Sequence, residues 1–533
     1  MLAPSPSGLR GEFRTDDVAR ALYSEGAGIF RIIPRAVAAP KDVEDLALLV
    51  RWAAEGGVAL VPRGAGSGMQ GGNVGPDVVL DLTQACLDAP VIDPDAGTAR
   101  CGASVTYRAL NFAAQPYGLH LPPDPSSGAF CTVGGMTATN AAGSHSVKYG
   151  AMRRWVRAIE YVTAEGETGR TDARTHGRTG AEARFLADVA PAIREHAAEL
   201  AAAAPHTLKN ASGYGLDAFA RSGRTADLLV GSEGTLAVFT AVEVALAPLP
   251  AERTTLLVTL GSLDQVGPAV LALRPLGPSA LELLDKTYLD FVRGAAQRHL
   301  AAGTEAVLLV EFEGSASDAA AAIRGIATSV EVAEDATTVG RLWELRHLAS
   351  PILASLPDNL RSLQVVEDGC VPPEQLAGYI AALRTAAKET GFEIVIFGHA
   401  GDGHLHANLL ADVTAPDFAA RLSACLERAT AAQLALGGTP SGEHGDGRLR
   451  APFVGRTFGT PYLDLCRRSR QAWDPAGILN PGVKILRSGD DGTLTAGVLK
   501  VGPHAPALPT GIAARLREIE RAAAWGTFRL ELA

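Results

Sequence analysis

The sequence lacks any run of about eighteen uncharged apolar residues, the length that a membrane-spanning helix requires. Its N-terminus, MLAPSPSGLRGEFRTDD, has no apolar core of the signal-peptide kind. Only six cysteines are present, and none form a Cys-x-x-Cys pair that would indicate a zinc or iron–sulfur site. We therefore expect a soluble, cytoplasmic protein whose cysteines are reduced and buried.

The chain also lacks a basic surface of the kind that binds nucleic acid. Lys and Arg number 48 against 58 Asp and Glu, which gives a formal net charge of −10, and no basic cluster is long. Apolar residues make up 47% and charged residues 20%, as in ordinary globular proteins. A length of 533 residues is too great for one core, so we expect two or more domains.

Periodicity predicts a change of architecture near residue 250. Before it, a helix at 41–57, a strand at 58–63, a glycine-rich loop and a strand at 78–82 are predicted, and 227–250 predicts a strand, a Gly-Glu-Gly turn and a long strand. After it, strands and helices alternate, which predicts an α/β domain whose sheet is covered by helices on one face. The predicted strands are 254–260, 279–285 and 306–314, and the predicted helices are 262–274, 316–328, 374–390 and 415–436.

The glycine-rich loop is GAGSGMQGGNVG, residues 64–75. A dinucleotide-binding fingerprint would open a helix, whereas this loop runs almost directly into the next strand. Successive glycines can turn several amide N–H groups inward and form an anion site for a pyrophosphate. The alternative is a flexible hairpin turn, but five glycines within nine residues, beside Arg63 and Ser67, exceed what a turn requires.

Three of the twelve histidines fall within eight residues, in GHAGDGHLHANLL, 398–410. A strand at 394–397, a turn and a returning strand would place His399, His404 and His406 on one side. Two histidines with a carboxylate suit a divalent metal, and Glu443 in GEHGDG is the natural carboxylate. The geometry does not choose the pair, and core histidines that bond backbone carbonyls are the alternative.

Six motifs in order resemble the FAD-linked dehydrogenases and oxidases of D-lactate, glycolate and D-2-hydroxyglutarate. They are PRGAGSGMQGGN (62–73), PPDPSSGAFCTVGGMTATNAAGSHSVKYG (122–150), VGSEGTLA (230–237), GHAGDGHLH (398–406), GEHGDG (442–447) and DPAGILNPGVK (474–484). The resemblance implies the vanillyl-alcohol oxidase/p-cresol methylhydroxylase (PCMH) flavoprotein fold: α+β and two-lobed, with a PCMH-type FAD-binding domain and an α/β substrate (cap) domain. We expect these domains at 1–250 and 251–472, a return segment at 473–486 and a tail with a helix at 487–533.

The resemblance implies FAD as cofactor, held non-covalently because the glycine loop lacks the histidine that covalent relatives often use. The residues implied around the pyrophosphate and along the rest of FAD are Pro62, Arg63, Gly64, Ala65, Gly66, Ser67, Gly68, Pro123, Asp124, Thr132, Gly134, Gly135, Asn140, Gly143, Glu233 and Asn480.

The resemblance also selects His399, His406 and Glu443 as ligands of a divalent metal, with zinc, manganese and ferrous iron all fitting, and His444 as the catalytic base. Arg346 matches an arginine that pairs with the substrate carboxylate; without the resemblance a surface helix arginine is an equal alternative. Some hydroxyglutarate enzymes carry a lysine where this chain has Val366 and Glu367, a departure that weakens the case for a dicarboxylate.

The predicted activity is oxidation of a D-2-hydroxy acid to the 2-oxo acid, with hydride transfer to the flavin. A non-catalytic FAD-binding subunit and a metal-dependent hydrolase are the alternatives. Larger relatives continue into a Cys-rich iron–sulfur module. The electron acceptor of this protein stays open, and a separate iron–sulfur subunit is one candidate. A dimer is one option for the oligomeric state.

Overall fold

The protein is described by a computed structural model that covers residues 4–171, 179–292, 303–354, 356–357 and 359–533. Its mixed helices and strands form two lobes with separate sheets, which is the α+β architecture expected from the sequence. Within the described residues, none of the helices combines the length and the apolar character needed to cross a bilayer. All six cysteines are buried and free.

The first lobe contains a four-stranded sheet, β1-β2-β4-β3, a five-stranded sheet, β5-β6-β10-β8-β9, and the pair β7 and β11. Its strands are β1 (Glu12–Arg14), β2 (Ala36–Ala39), β3 (Leu60–Arg63), β4 (Val78–Asp81), β5 (Val91–Asp93), β6 (Thr98–Gly102), β7 (Leu119–His120), β8 (Val156–Val162), β9 (Thr168–Thr171), β10 (Val238–Ala245) and β11 (Ala247–Pro248). The strands β3 and β4 are parallel. The glycine-rich loop between them is therefore a crossover and not a hairpin turn, because a hairpin joins antiparallel strands.

Ten α-helices accompany these sheets within the part of the lobe that the structure describes. They are α1 (Asp17–Leu22), α2 (Val43–Gly56), α3 (Tyr107–Ala114), α4 (Val133–Thr139), α5 (Ser146–Tyr149), α6 (Gly180–Asp188), α7 (Ala190–Glu195), α8 (Ala197–Ala203), α9 (Leu216–Ser222) and α10 (Thr225–Leu229). The strand predicted at the start of 227–250 is wrong, because those residues belong to α10, whose Ala226, Leu228 and Leu229 are buried in the core. The long strand that follows is β10.

The second lobe is built on one sheet of eight strands. Seven of them follow the order β15-β12-β14-β13-β18-β19-β16, and β17 pairs with β19. Its strands are β12 (Arg253–Leu260), β13 (Ala280–Asp285), β14 (Ala306–Glu313), β15 (Ser329–Ala333), β16 (Leu360–Gln364), β17 (Gly369–Cys370), β18 (Glu393–Gly398) and β19 (His404–Asp412). All described pairs in this sheet are antiparallel, and β18 and β19 form a hairpin between β13 and β16.

The helices that accompany this sheet and the rest of the chain are α11 (Val266–Leu273), α12 (Lys286–Val292), α13 (Ala319–Ala322), α14 (Ala336–His347), α15 (Ala349–Ala354), α16 (Leu376–Glu389), α17 (Phe418–Ala435), α18 (Val454–Phe458), α19 (Thr460–Trp473) and α20 (Ile512–Arg521). The helical layer predicted on one face is present as α11, α16 and α17. The opposite face also carries α12 and α14, which the sequence analysis did not include. Helices cover both faces because both faces are apolar: the adjacent residues Leu256 and Leu257 of β12 point to opposite faces, and both are buried.

The end of the chain returns to the first lobe. Leu479 forms a parallel bridge with Leu60 of β3, and the backbone N–H of Asn480 donates to the Leu60 carbonyl at 2.8 Å. The helix α20 packs on α1 through Ile512, Leu516 and Ile519. The domain limits at 250, 472 and 486 stay a prediction.

Candidate active site

The β18–β19 hairpin gathers the three clustered histidines. Phe397 pairs with His406 across the two strands, and the N–H of His404 donates to the His399 carbonyl at 3.2 Å. Gly403 closes the turn with φ 73°, where a Cβ would lie 2.0 Å from the Val371 carbonyl oxygen. The rings of His399 and His406 have centroids 5.0 Å apart, and those of His404 and His406 are 4.7 Å apart. The short turn therefore brings all three imidazoles together in a buried position.

Glu443 completes this cluster from a distant part of the sequence. Its Oε1 lies 3.2 Å from Nε2 of His399 and 3.4 Å from Nε2 of His406, and these two nitrogens are 3.2 Å apart. Nδ1 of His399 faces Oε1 of Glu282 at 2.6 Å, and Nδ1 of His406 faces the Glu367 carbonyl oxygen at 2.8 Å. In the neutral form each ring donates from Nδ1, so the two Nε2 lone pairs and one carboxylate oxygen point at the same place.

Three acceptor atoms at such distances repel one another unless a proton or a cation lies between them. Imidazole nitrogens and a carboxylate oxygen are ligands that zinc, manganese and ferrous iron accept. Burial lowers the pKa of His399, but the Glu282 carboxylate more than offsets this and raises it to about 9. The residues present therefore fit a divalent cation, which would displace the proton of His399.

His404 is the fourth member of the cluster. Its Nε2 donates to Oδ1 of Asp368 at 2.9 Å, and its Nδ1 is buried, lacks a hydrogen-bond partner and lies 3.9 Å from Oε2 of Glu443. Burial and the positive charge of Lys209 lower the pKa of His404 to about 3, so the ring is neutral. One coordinating atom each from His399, His404, His406 and Glu443 lies within 4.8 Å of the others. The geometry thus leaves His404 available as a further ligand.

Lys209 was missed by the sequence analysis. It follows α8 in a polar loop with no motif, yet its buried Nζ donates to Oε2 of Glu443 at 2.8 Å and to Oγ of Ser146 at 3.0 Å. Burial opposes ionisation of Glu443, but Lys209 and His399 hold its pKa well below the ordinary value. Glu443 is therefore an anion with one oxygen held by Lys209 and the other facing the histidines.

His444 lies beside the cluster, with Nε2 3.6 Å from Oε1 of Glu443. Its Nδ1 bonds Oε2 of Glu367 at 2.6 Å, and Glu367 in turn accepts from the buried Arg450. Burial lowers the pKa of His444, but the carboxylates of Glu367 and Asp368 more than offset this and raise it to about 10. Glu367 is thus engaged in orienting His444 and is not an open group for a substrate.

Arg346 projects from α14 toward the same cluster. Its Nε donates to Oε2 of Glu282 at 2.7 Å, so Glu282 bridges Arg346 and His399. The guanidinium lies 4.8 Å from the ring centroid of Phe397. Arg346 lines a cavity of about 1340 Å³ together with His399, His406 and Glu443, so it is not the surface helix arginine of the alternative interpretation.

A second cavity, of about 400 Å³, also has Glu443 in its wall. The expected FAD residues that line it are Pro62, Arg63, Gly64, Ala65, Gly66, Ser67, Gly68, Thr132, Gly134, Gly135 and Glu233, and Glu443 and His444 line it as well. Gly64 allows a close approach, since a Cβ there would lie 2.6 Å from Oγ1 of Thr132. The glycine loop and the histidine cluster therefore line two cavities that have Glu443 in common.

The remaining expected FAD residues lie elsewhere. Asp124 and Gly143 line the larger cavity, whereas Pro123, Asn140 and Asn480 are not among the lining residues of either. Asn140 ends α4 in the left-handed conformation and accepts from the N–H of Arg153 at 2.9 Å. The side-chain amide of Asn480 donates to the carbonyl of Gly72 at 2.8 Å, and this hydrogen bond holds the glycine loop in place. These asparagines support the cavity walls.

Glu233 has a supporting contact as well as a place in the cavity wall. Its carboxylate accepts from the N–H groups of Asp446 at 2.7 Å and Gly447 at 2.9 Å, and it lies 3.1 Å from Nζ of Lys484. It has a positive φ of 52°. Glu233 thus fastens the segment that carries Glu443 and His444 to the first lobe.

The glycine-lined cavity lies beside a cluster of buried histidines and carboxylates, an arrangement that can hold an anionic cofactor next to a polar substrate. Residues 34–172 match the family model of an FAD binding domain, and residues 249–483 match that of the C-terminal domain of FAD linked oxidases. The structure resembles 4-ethylphenol oxidase from Gulosibacter chungangensis with a TM-score of 0.63 at 16% identity, covering 89% of this chain and 94% of that one. This likeness confirms the expected PCMH-type fold.

Proteins of similar sequence identify the family more specifically. The chain is 31% identical to D-lactate dehydrogenase of Archaeoglobus fulgidus over 469 residues, covering 86% of this chain and 93% of the relative. It is 29% identical to glycolate oxidase subunit GlcD of Bacillus subtilis over 482 residues, covering 88% and 93%. The chain belongs to the family of FAD-linked D-2-hydroxy-acid dehydrogenases and oxidases, and FAD is its cofactor.

Proposed function

We propose that this protein oxidises a D-2-hydroxy acid to the 2-oxo acid, assisted by a divalent metal. The observation that carries the proposal is the position of Glu443 and His444. Both line the cavity of the glycine loop, and Glu443 also lines the larger cavity with His399, His406 and Arg346. A small acid in the larger cavity would therefore reach both the histidine cluster and the flavin.

FAD would be held non-covalently along the smaller cavity by the glycine loop Gly64–Gly68 and by Thr132, Gly134 and Gly135. When bound, FAD supplies the acceptor for the hydride that leaves the substrate Cα. The backbone N–H groups of this loop and the Arg63 guanidinium would suit the negative charge of the pyrophosphate. Asn480 and Glu233 keep this loop and the Glu443 segment in place.

His399, His406 and Glu443 would hold the metal, with His404 as an additional candidate ligand. When bound, a divalent cation acts as a Lewis acid that lowers the pKa of the substrate α-hydroxyl. Glu282 and the Glu367 carbonyl orient the two histidines through their Nδ1 atoms, which is the usual arrangement behind metal-binding histidines.

His444 would accept the hydroxyl proton at Nε2, because its Nδ1 is committed to Glu367. Without a cation nearby its raised pKa favours the imidazolium, which accepts no proton. A positive charge at the Glu443 site would favour the neutral ring and so prepare His444 as the base. Proton acceptance and cation binding are thereby coupled through neighbouring residues.

Arg346 would pair with the substrate carboxylate, for which its planar guanidinium is suited.

A hydrolase interpretation leaves the glycine-lined cavity and the FAD-domain match unexplained. The arrangement of Glu443, His444 and Lys209 argues against a non-catalytic subunit, because such a subunit would have no need to keep it. The Bacillus relative is named as a subunit, and a separate iron–sulfur protein stays a hypothesis for the acceptor.

Anaerobic flavin bleaching tests the proposal. The FAD-loaded protein is mixed with D-lactate, glycolate or D-2-hydroxyglutarate, and flavin absorbance is followed, with L-lactate as the matched control. We expect bleaching by at least one of the three acids and much slower bleaching by L-lactate. Stable flavin absorbance with every 2-hydroxy acid would contradict the proposal and favour the non-catalytic subunit.

A further inference from the structure

The C-terminal segment, defined as residues 487–533, lies beyond both family-model matches, which end at residues 172 and 483. Two of its residues, Ala523 and Trp525, nevertheless line the cavity of the glycine loop. We propose that this segment forms one wall of the FAD site and that Trp525 contacts the bound cofactor. The inference concerns FAD binding and does not depend on which acid is oxidised.

The contact of this wall with the first lobe is close. A Cβ on Gly526 would lie 3.0 Å from the Cβ of Phe130, which also lines the cavity, so the backbone at 525–526 rests directly on that residue. Trp525 is half-buried, and the guanidinium carbon of Arg529 lies 5.8 Å from its ring centroid. Part of the Trp525 side chain is thus covered by the protein, and part remains available to a planar ligand in the cavity that it lines.

The segment is anchored to the backbone that supports the glycine loop. The buried Arg529 donates from Nη1 to the carbonyls of Leu22 at 2.6 Å and Glu25 at 2.8 Å. Two residues further along, the N–H of Ala27 donates to the carbonyl of Gly66 at 3.0 Å. The wall, the 22–27 segment and the glycine loop therefore form one connected unit.

Charge also indicates an anionic ligand at this place. Nη2 of Arg63 and Nη2 of Arg529 are buried without a hydrogen-bond partner, and a Cβ on Gly66 would lie 2.4 Å from Nη2 of Arg63. Burial and the nearby Arg63 lower the pKa of Arg529 to about 9. Of these two arginines, Arg63 lines the cavity, and a pyrophosphate at the glycine loop would compensate its charge in addition to the nearby carboxylates of Glu25 and Asp81.

Tryptophan fluorescence of the apoprotein during FAD titration tests the proposal. Trp525→Phe keeps an aromatic ring but removes one of the five indoles, and Trp52→Phe is the matched control, since Trp52 lies on α2 and bonds the Pro4 carbonyl. We expect Trp525→Phe to lose a larger part of the FAD-dependent quenching than Trp52→Phe. An unchanged quenching amplitude in Trp525→Phe would overturn the proposal.

Affinity provides the second measurement. Trp525→Leu should raise the Kd for FAD about tenfold, the loss expected for one aromatic contact, while Trp52→Leu stays within about twofold. Circular dichroism checks that both variants are folded. An unchanged Kd in a folded Trp525→Leu protein would also overturn the proposal, and if that variant does not fold, the result with Trp525→Phe decides.

Discussion

Nε2 of His399 lies 3.2 Å from Nε2 of His406, and each ring uses its Nδ1 for an oxygen acceptor. Two neutral imidazoles arranged in this way direct two lone pairs at each other, with Glu443 adding a third acceptor. Either a proton on His399 or a divalent cation removes this repulsion. The two states differ in metal content, so the arrangement can be tested directly.

His399→Ala should lower the bound metal at least about tenfold, because removal of one ligand from a three-residue site leaves too few donors. Metal content is measured on the purified protein by mass spectrometry. His196→Ala is the matched control, since the side chain of His196 is 44% exposed and its Nδ1 lies 2.9 Å from Oε2 of Glu199, far from the cluster in sequence. Stoichiometric metal in His399→Ala would instead point to His404, whose buried Nδ1 has no partner.

His444→Ala should keep FAD and metal but slow flavin reduction by a factor of about 10²–10⁴, the usual contribution of a general base. The reason is that His444 is adjacent to Glu443 and its Nδ1 faces the carboxylates of Glu367 and Asp368, which leaves Nε2 for the substrate. Stopped-flow absorbance under anaerobic conditions gives the rate. A rate equal to that of the wild type would remove His444 from the role of base.

Arg346→Lys should raise KM for the hydroxy acid about tenfold or more, because an ammonium cannot form the two parallel bonds that a guanidinium offers a carboxylate. Arg253→Lys is a matched control, since Arg253 lines the same cavity but its side chain is 41% exposed. Steady-state kinetics with the accepted acid separates KM from kcat. Equal KM values in both variants would contradict a carboxylate-binding role for Arg346.

Much of the site could be predicted from local motifs, because residues that are close together in the sequence form the histidine hairpin and the glycine loop. The hairpin that carries His399 and His406 follows from eight residues of sequence, and the glycine loop follows from its composition. Lys209 and Glu282 could not be predicted, since they reach Glu443 and His399 only through tertiary packing across long sequence separations. The parallel pairing of β3 and β4 was hidden for the same reason, because the order of strands in a sheet is not a local property.

The lobes are also linked away from the histidine cluster, and this link gives a pH prediction. His145 of the first lobe has Nδ1 2.5 Å from Oδ2 of Asp124 and Nε2 3.0 Å from Oε1 of Glu311 in β14. Trp343 stacks on its ring and donates to the other oxygen of Glu311. Burial lowers the pKa of His145, but the two carboxylates more than offset this and raise it to about 10.

A pKa raised in the folded state means that the folded protein binds the proton more tightly than the unfolded chain. The stabilisation is complete below the unfolded value of about 6.5 and is lost as pH rises through about 10. His145→Gln, which cannot become charged, should therefore have a lower free energy of unfolding than the wild type at pH 6, by at most roughly 5 kcal/mol, and this difference should narrow toward pH 10. Thermal unfolding at several pH values measures it, with His196→Gln as control. A gap that stays constant from pH 6 to 10 would show that His145 is neutral throughout, and that its bonds to Asp124 and Glu311 hold the lobes together without its charge.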